Sequence, residues 1–273
     1  MENCNKVVVS LSGGLDSTCV ALHYLARGYE VRGYAFDYGQ KHQVELKKLR
    51  KNIKYMQSLG LKISLQVINL RDVFSESASA LVGHGENGEI PHEDYREENQ
   101  KITVVENRNV IFSAIIFGKA LAWANKTQDN VIISQGVHKG DATVYPDCRP
   151  ESVNMARELY KISNWGTERV DFEAPFVGET KGEALRDGLG AMKALGLTKA
   201  QMNRILKNTH SCYDPDEKGK ACGLCGTCRE RLEAFALAGF MDPAAYVDPK
   251  AAKKLYDEYA FELLPDTCGP SNN

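Results

Sequence analysis

The chain has 273 residues, 43% hydrophobic and 26% charged, which suits one large α/β domain with a small appendage. Its formal net charge of −2 argues against a strongly basic nucleic-acid coat. The first residues show no apolar segment followed by a cleavage site. The longest apolar stretch, residues 109–124, is broken by Ser113, Gly118 and Lys119 and is short for a membrane span, so a cytoplasmic protein is expected.

Residues 6–11, "KVVVSL", form a continuous apolar run, the pattern of a strand buried on both faces. A helix follows over 16–28, with Val20, Leu22 and Leu25 on its apolar side and Gly28 as its stop. Residues 30–39 read as a second strand. Leu46, Leu49, Ile53 and Met56 recur at helical spacing until Gly60, and 62–70 alternates as a third strand. Residues 75–106 are polar and acidic, and predict a long loop that is a lid or a disordered tract. A helix over 108–125, a strand over 130–137, a helix over 150–163 and a strand over 169–176 come next. The helix over 180–196 opens with a capping box, Thr180 to Glu183. Strands alternating with helices predict right-handed crossovers and a doubly wound, five-stranded parallel sheet, with ligands beyond the strands' carboxyl ends. A boundary is expected near residue 200, dividing an α/β domain (1–200) from a cysteine-bearing helical module and tail (201–273).

The first strand ends in "SLSGGLDST", residues 10–18. Gly13 and Gly14 permit positive φ and close approach to a ligand, and the free N–H groups of the next helix favour an anion. Ser12, Ser17 and Thr18 add hydroxyl donors. Asp16 beside an anion site makes sense as a cap or as a ligand of bound Mg²⁺. Neither the Walker A spacing nor G-x-G-x-x-G is present, and a tight turn with an ordinary cap is the competing explanation.

Cys212, Cys222, Cys225 and Cys228 follow the spacing C-x₉-C-x₂-C-x₂-C. Four thiolates so close suit a closed, structural tetrahedral Zn²⁺ site, with an iron–sulfur cluster as the rival occupant. Gly219, Gly223 and Gly226 let a short chain wrap one ion. Cys4, Cys19, Cys148 and Cys268 are scattered. Residues 229–240 continue as a helix packed through Leu232, Phe235 and Ala236.

Ser12, Gly13, Gly14, Asp16 and Ser17 match S-G-G-x-D-S, and the loop is similar to the pyrophosphate loop of the PP-loop ATP pyrophosphatases. Adding "FDYGQKHQVE" (36–45), "YPDCRPE" (145–151) and the cysteine module, residues 6–240 resemble the 7-cyano-7-deazaguanine synthase (QueC) family. The resemblance implies that ATP activates the carboxylate of 7-carboxy-7-deazaguanine, that ammonia captures it as an amide, and that a second ATP-dependent step dehydrates the amide to the nitrile. It implies ATP, Mg²⁺ and structural Zn²⁺ as cofactors, and a homodimer.

By position, the resemblance assigns catalysis to Ser12, Asp16 and Lys181, and ATP binding to Leu11, Ser12, Gly13, Gly14, Leu15, Asp16, Ser17, Thr18, Cys19 and Val20. Substrate contacts fall to Arg108, Asn109, Asp141, Asp147 and Arg149, with Gln40, Lys41 and Tyr38 the weaker candidates. Cys148 reads as packing, and His42, His84, His92 and His138 receive no role. The chain departs from the family in three places. "VVENRN" (104–109) lacks the proline and first glycine of Val-Pro-Gly-Arg-Asn, Thr143-Val144 replaces Ser-Gly, and the tail after residue 245 is long. Those departures leave room for a paralogue that joins the activated acid to a protein amine. A tRNA-modifying enzyme is a further alternative, but it would need a basic face and a catalytic cysteine pair.

Overall fold

The computed structural model describes residues 5–83, 88–92 and 101–262. Among them, β1 (Lys6–Ser10), β2 (Glu30–Asp37), β3 (Ile63–Asn69), β4 (Val131–Ser134) and β5 (Val170–Glu173) form one parallel sheet in the order β3-β2-β1-β4-β5. The chain winds outward from β1 to β3 and then restarts at β4 on the other side of β1. The crevice at the carboxyl ends of β1 and β4 is therefore the switch point where such sheets hold ligands.

β1 is buried on both faces because its valines alternate between two cores. Val7 and Val9 join a cluster with Leu22 of α1 (Leu15–Ala26), Leu49 of α2 (Val44–Ser58) and Leu185 of α6 (Lys181–Ala194). Val8 joins Ile116, Phe117 and Trp123 of α3 (Arg108–Thr127) on the other face. Two shorter helices follow β4, α4 (Lys139–Val144) and α5 (Pro150–Ile162).

The five strands, and the helices anticipated between them, are present. Other segments differ from expectation. Residues 135–137 leave the sheet after β4 and turn into the crevice. The described part of the 75–106 tract is not a free lid. Leu81, Val82 and Val105 are buried in the second core, because a long connection can borrow the apolar surface of the sheet. Residues 84–87 and 93–100, including His84, lie outside the described residues, as do Cys4 and Cys268.

Past residue 195 come α7 (Lys199–Lys207), α8 (Gly226–Leu237) and α9 (Pro249–Glu262). α7 opens with its own capping box, Thr198 to Gln201. Met202, Ile205 and Leu206 of α7 and Phe235 of α8 pack in the same core as Val7 and Val9. The apolar cluster thus crosses residue 200 without a break. The described part of the tail, to residue 262, also has a place: Ala252 of α9 is buried with the cysteines' surroundings, Leu232 and Tyr246, and closes a small third core.

Candidate active site and metal centre

Leu11 continues β1, donating its N–H to Tyr34 O at 2.8 Å, and the chain then breaks at the two glycines. Gly13 has φ of +96°, and a Cβ there would stand 3.1 Å from both Glu45 Cγ and Leu49 Cβ. Gly14 is the extended N-cap of α1. Its N–H donates to Ser12 Oγ at 3.1 Å, and Ser12 Oγ lies 3.1 Å from Ser17 Oγ. The first N–H groups of α1 have no partners within the helix and so can face an anion. Gly136, after β4, passes so close that a Cβ would stand 2.6 Å from Ser17 N, so only glycine lets the two crevice-forming loops meet there.

Leu11, Ser12, Gly14, Asp16 and Ser17 line the cleft. Leu15, Cys19 and Val20, counted with the ATP loop, lie behind it in the core. Thr18 is also turned inward, its hydroxyl donating to Gly14 O at 2.8 Å. In the first two turns of a helix beside a sheet, only some positions face the ligand; the others must fill the core.

Lys181 is the first residue of α6, fixed there by the Thr180–Glu183 capping box. Its Nζ lies 3.2 Å from Asp16 Oδ2 and 2.6 Å from Glu230 Oε2 of α8. Burial opposes the Lys181 ammonium, but Asp16, Glu230 and Asp141 outweigh it and hold its pKa above the ordinary value. Lys181 is therefore a fixed cation at the mouth of the loop. Asp16 Oδ1 is buried without a hydrogen-bond partner among the described residues, an unmet acceptor of the kind that a hard cation satisfies.

Asp141 reaches the same cluster from α4. Its Oδ2 accepts from His138 N at 3.3 Å, while His138 Nδ1 accepts from Gly140 N at 3.0 Å. Burial pushes the Asp141 carboxyl up to about 6; His138 and Lys181 work against the shift, and Asp16 and Glu230 add to it. The folded chain thus holds a proton between about pH 4 and pH 6 that the unfolded chain has released, so this carboxylate subtracts stability as pH rises through that window. Asp141→Asn is expected to gain on the wild type as pH rises from 4.5 to 7, by at most about 2 kcal/mol. Urea unfolding at both pH values checks this, and a difference that does not change with pH would refute it.

The other half of the cleft is aromatic and carries the second set of candidates. Phe36 stacks on Phe112 with ring centroids 4.0 Å apart, and Tyr38, Tyr145 and Tyr213 stand nearby. Arg108 Nη1 donates to Tyr38 OH at 3.3 Å, and its Nε to Asn109 Oδ1 at 3.2 Å. Asn109 Nδ2 donates to Asp147 Oδ1 at 3.2 Å and to Cys148 Sγ at 3.5 Å. Arg108, Asn109, Asp141 and Asp147 therefore meet in one place. The missing glycine before Arg108 has a substitute: Asn107 caps α3 with φ of +54°, the left-handed region that asparagine tolerates best among non-glycine residues.

Three substrate candidates fall outside the cleft. Gln40 is buried as a staple, with Nε2 donating to Phe36 O at 3.1 Å and Oε1 accepting from Tyr38 N at 3.0 Å. Lys41 extends to Gly88 O at 3.3 Å. Arg149 is the exposed N-terminal cap of α5, and its Nε donates to Ala142 O at 3.4 Å. Its neighbour Asp147 faces inward because the short turn at 146–148 reverses direction between them. His92 makes an exposed pair with Asp214 at 2.8 Å. The sequence reading missed Glu230, His42, Glu45, His210, Tyr213 and Thr227. The signal available was their position, beside the second strand's end or beside the cysteines.

Ligand atoms of Cys212, Cys222, Cys225 and Cys228 lie within 4.8 Å of one another, the group of this kind found among the described residues. Backbone N–H groups of Cys222, Leu224 and Cys225 point at sulfur at 3.2–3.4 Å, which favours thiolates. Four convergent sulfurs fit a thiophilic tetrahedral cation. Cys225 Sγ lies 3.2 Å from Thr227 Oγ1, and Thr227 lines the cleft. The cysteine cluster therefore stands directly behind one wall of the cleft. Stripping the metal with a chelator is expected to lower the thermal midpoint by at least ~10 °C; an unchanged calorimetric midpoint would contradict the assignment.

A doubly wound parallel sheet with an S-G-G-L-D-S phosphate loop at its first crossover, and a lysine fixed opposite, defines a PP-loop ATP pyrophosphatase. Within that class, the chain belongs to the QueC family: the family model described as queuosine biosynthesis protein QueC matches residues 6–239. The chain is similar to proteins named 7-cyano-7-deazaguanine synthase. That of Marinomonas sp. (strain MWYL1) is 38% identical over 242 residues, covering 88% of this chain and 98% of the relative. That of Hahella chejuensis (strain KCTC 2396) is 37% identical over 242 residues, covering 89% and 93%. That of Paracoccus denitrificans (strain Pd 1222) is 37% identical over 246 residues, covering 89% and 94%. Among the described residues, no helix is long and apolar enough to cross a membrane.

Proposed function

We propose that this chain is a 7-cyano-7-deazaguanine synthase, an ATP-dependent enzyme that turns the carboxyl group of 7-carboxy-7-deazaguanine into a nitrile with ammonia. One observation carries the reading: the phosphate loop with Asp16 and Lys181 shares a single cleft with Arg108, Asn109 and Asp147. An anion chain and a planar acid can therefore be held with their reacting ends together.

A carboxylate is a poor electrophile until one of its oxygens joins a good leaving group. In the first step that oxygen attacks the α-phosphorus of ATP, and pyrophosphate departs towards the N–H groups of the α1 start and Lys181, which stabilise the charge it carries away. Ser12 and Ser17 donate to the same oxygens. Mg²⁺ held by Asp16 would neutralise further charge on the phosphates. Ammonia then adds to the acyl carbon, AMP leaves with the acid's oxygen, and a proton is released to give the amide. In the second step the amide oxygen displaces pyrophosphate from a second ATP, and that oxygen then leaves with AMP as the nitrogen gives up its two protons, giving the nitrile. In this reading Arg108 holds the carboxylate, and Asp147 with Asn109 holds the ring. Glu230 positions Lys181.

Zn²⁺ is the proposed occupant of the four cysteines, with a structural role, since all four positions would be filled by sulfur. Residues 1–200 then carry the ATP-binding α/β unit and 201–273 the zinc-bearing segment that closes its cleft. A cytoplasmic homodimer is part of the same proposal, and light scattering should give the dimer mass. The function is tested by mass spectrometry of products from 7-carboxy-7-deazaguanine, ATP, Mg²⁺ and ammonium. Nitrile with AMP and pyrophosphate is expected, and an ammonia-inert chain that still releases AMP in the presence of a protein amine would overturn the choice of nucleophile.

A further inference from the structure

Two buried imidazoles line the cleft beside the glycine loop, each 3% exposed. His210 is tied to that loop, its backbone N–H donating to Gly13 O at 2.9 Å. Its ring Nδ1 lies 3.1 Å from Lys48 Nζ, which also donates to Gly219 O at 2.9 Å. An ammonium has no lone pair, so Nδ1 accepts and the ring proton sits on Nε2. His42 Nε2 lies 3.2 Å from Glu45 Oε2. A carboxylate only accepts, so Nε2 carries the proton there, and in the neutral ring Nδ1 keeps a lone pair. His210 Nε2 and His42 Nδ1 are both buried without a hydrogen-bond partner among the described residues. The fold thus leaves one donor and one acceptor unmet in the same cavity, and unmet buried polar groups of this kind are costly.

We propose that His210 and His42 form a recognition subsite for an uncharged polar edge, one that accepts a hydrogen bond from His210 Nε2–H and donates one to His42 Nδ1. A lactam or amino-heterocycle edge has this pattern, and so do neighbouring sugar hydroxyls. A phosphate or carboxylate does not, because it cannot donate to His42 and would face the Glu45 carboxylate. The ring of Tyr213 lies 5.5 Å from that of His42, and offers an aromatic surface next to the polar pair. Resting on the functional reading above, the edge belongs either to the nucleoside half of ATP or to the deazapurine ring.

Calorimetric titration of the full, metal-loaded chain separates the two sources, with a non-hydrolysable ATP analogue in one arm and 7-carboxy-7-deazaguanine in the other. His210→Phe and His42→Phe keep a ring but lose the donor or acceptor, and each is expected to weaken one ligand about 10- to 100-fold. His210→Gln keeps a donor at the Nε2 position and His42→Asn an acceptor at the Nδ1 position, so both should recover part of the loss. Weakening confined to the ATP arm assigns the subsite to the nucleoside, and weakening confined to the acid arm assigns it to the deazapurine. Kd values within about twofold of wild type in both arms overturn the proposal. A wild-type chain that binds neither ligand overturns the functional reading, and the subsite with it. Should a variant not fold, ¹⁵N-histidine spectra of the wild type give the answer: ligand must shift the His210 Nε2 and His42 Nδ1 resonances, and unmoved resonances refute the subsite.

Discussion

Asp16→Asn is expected to cut AMP release by about 10²–10³-fold or more while leaving metal content and fold intact. Asparagine fills the same volume, so the start of α1 and the core behind it are undisturbed. What changes is charge. Asp16 Oδ2 is one of the two carboxylate oxygens in contact with Lys181, at 3.2 Å, and Oδ1, without a partner among the described residues, is the proposed Mg²⁺ ligand. The amide keeps an oxygen but not the charge that draws the cation, and its NH₂ would meet the Lys181 ammonium as one donor meets another. Lys181 would then be held by Glu230, 2.6 Å away on α8, with Asp141 the other carboxylate acting on it, and would be drawn away from the loop. Pyrophosphate release measured at saturating acid reads the effect. Gly14, not Asp16, is the N-cap of α1, so a variant within about threefold of wild type would show that the Asp16 charge plays no part in the chemistry.

The second large effect concerns the wall of the cleft. Arg231 is 2% exposed and so is its partner Asp242. The pairing is bidentate, Nε to Oδ2 at 2.8 Å and Nη2 to Oδ1 at 2.9 Å, and Nη1 donates to Thr209 Oγ1 at 2.8 Å. Arg231→Met leaves the Asp242 carboxylate buried without its cation, which is expected to cost about 3–5 kcal/mol in urea unfolding. Adding Asp242→Asn should return part of that loss, because the uncompensated charge is gone. The same guanidinium fastens the segment that carries His210, Cys212 and Tyr213 to α7 and α8. Loss of metal affinity should therefore accompany the loss of stability. Equal stability of Arg231→Met and wild type would show that the pair holds nothing in place.

Sequence pattern sufficed wherever one residue's neighbours along the chain decide its environment. The apolar run of β1 must be central because it has no polar face. The capping box at Thr180–Glu183 fixes where α6 begins, and hence where Lys181 stands. The cysteine spacing announces its own cluster. Pattern was insufficient wherever partners come from distant parts of the chain. Gln40 and Arg149 have chemistry suited to a ligand, but Gln40 is spent on its own turn and Arg149 lies just beyond the reversal that turns Asp147 inward. Glu230 looks like a solvated helix position until α8 is laid against α6. His42 and His210 gain meaning only together, from elements 168 residues apart in number that the fold brings to one cavity. Asn107 shows the same limit in the backbone: the family's glycine is missing there, yet asparagine at φ of +54° takes the conformation that a glycine would allow.

The claim on which the rest depends is that ATP is split between its α and β phosphates so that a carboxylate oxygen leaves on AMP. It is tested most directly with 7-carboxy-7-deazaguanine carrying ¹⁸O in its carboxyl group, incubated with ATP, Mg²⁺ and ammonium, and followed by mass spectrometry of the nucleotides. The account predicts ¹⁸O in the phosphate of AMP, none in pyrophosphate, and no ADP. Unlabelled AMP, or label appearing in inorganic phosphate alongside ADP, would contradict it.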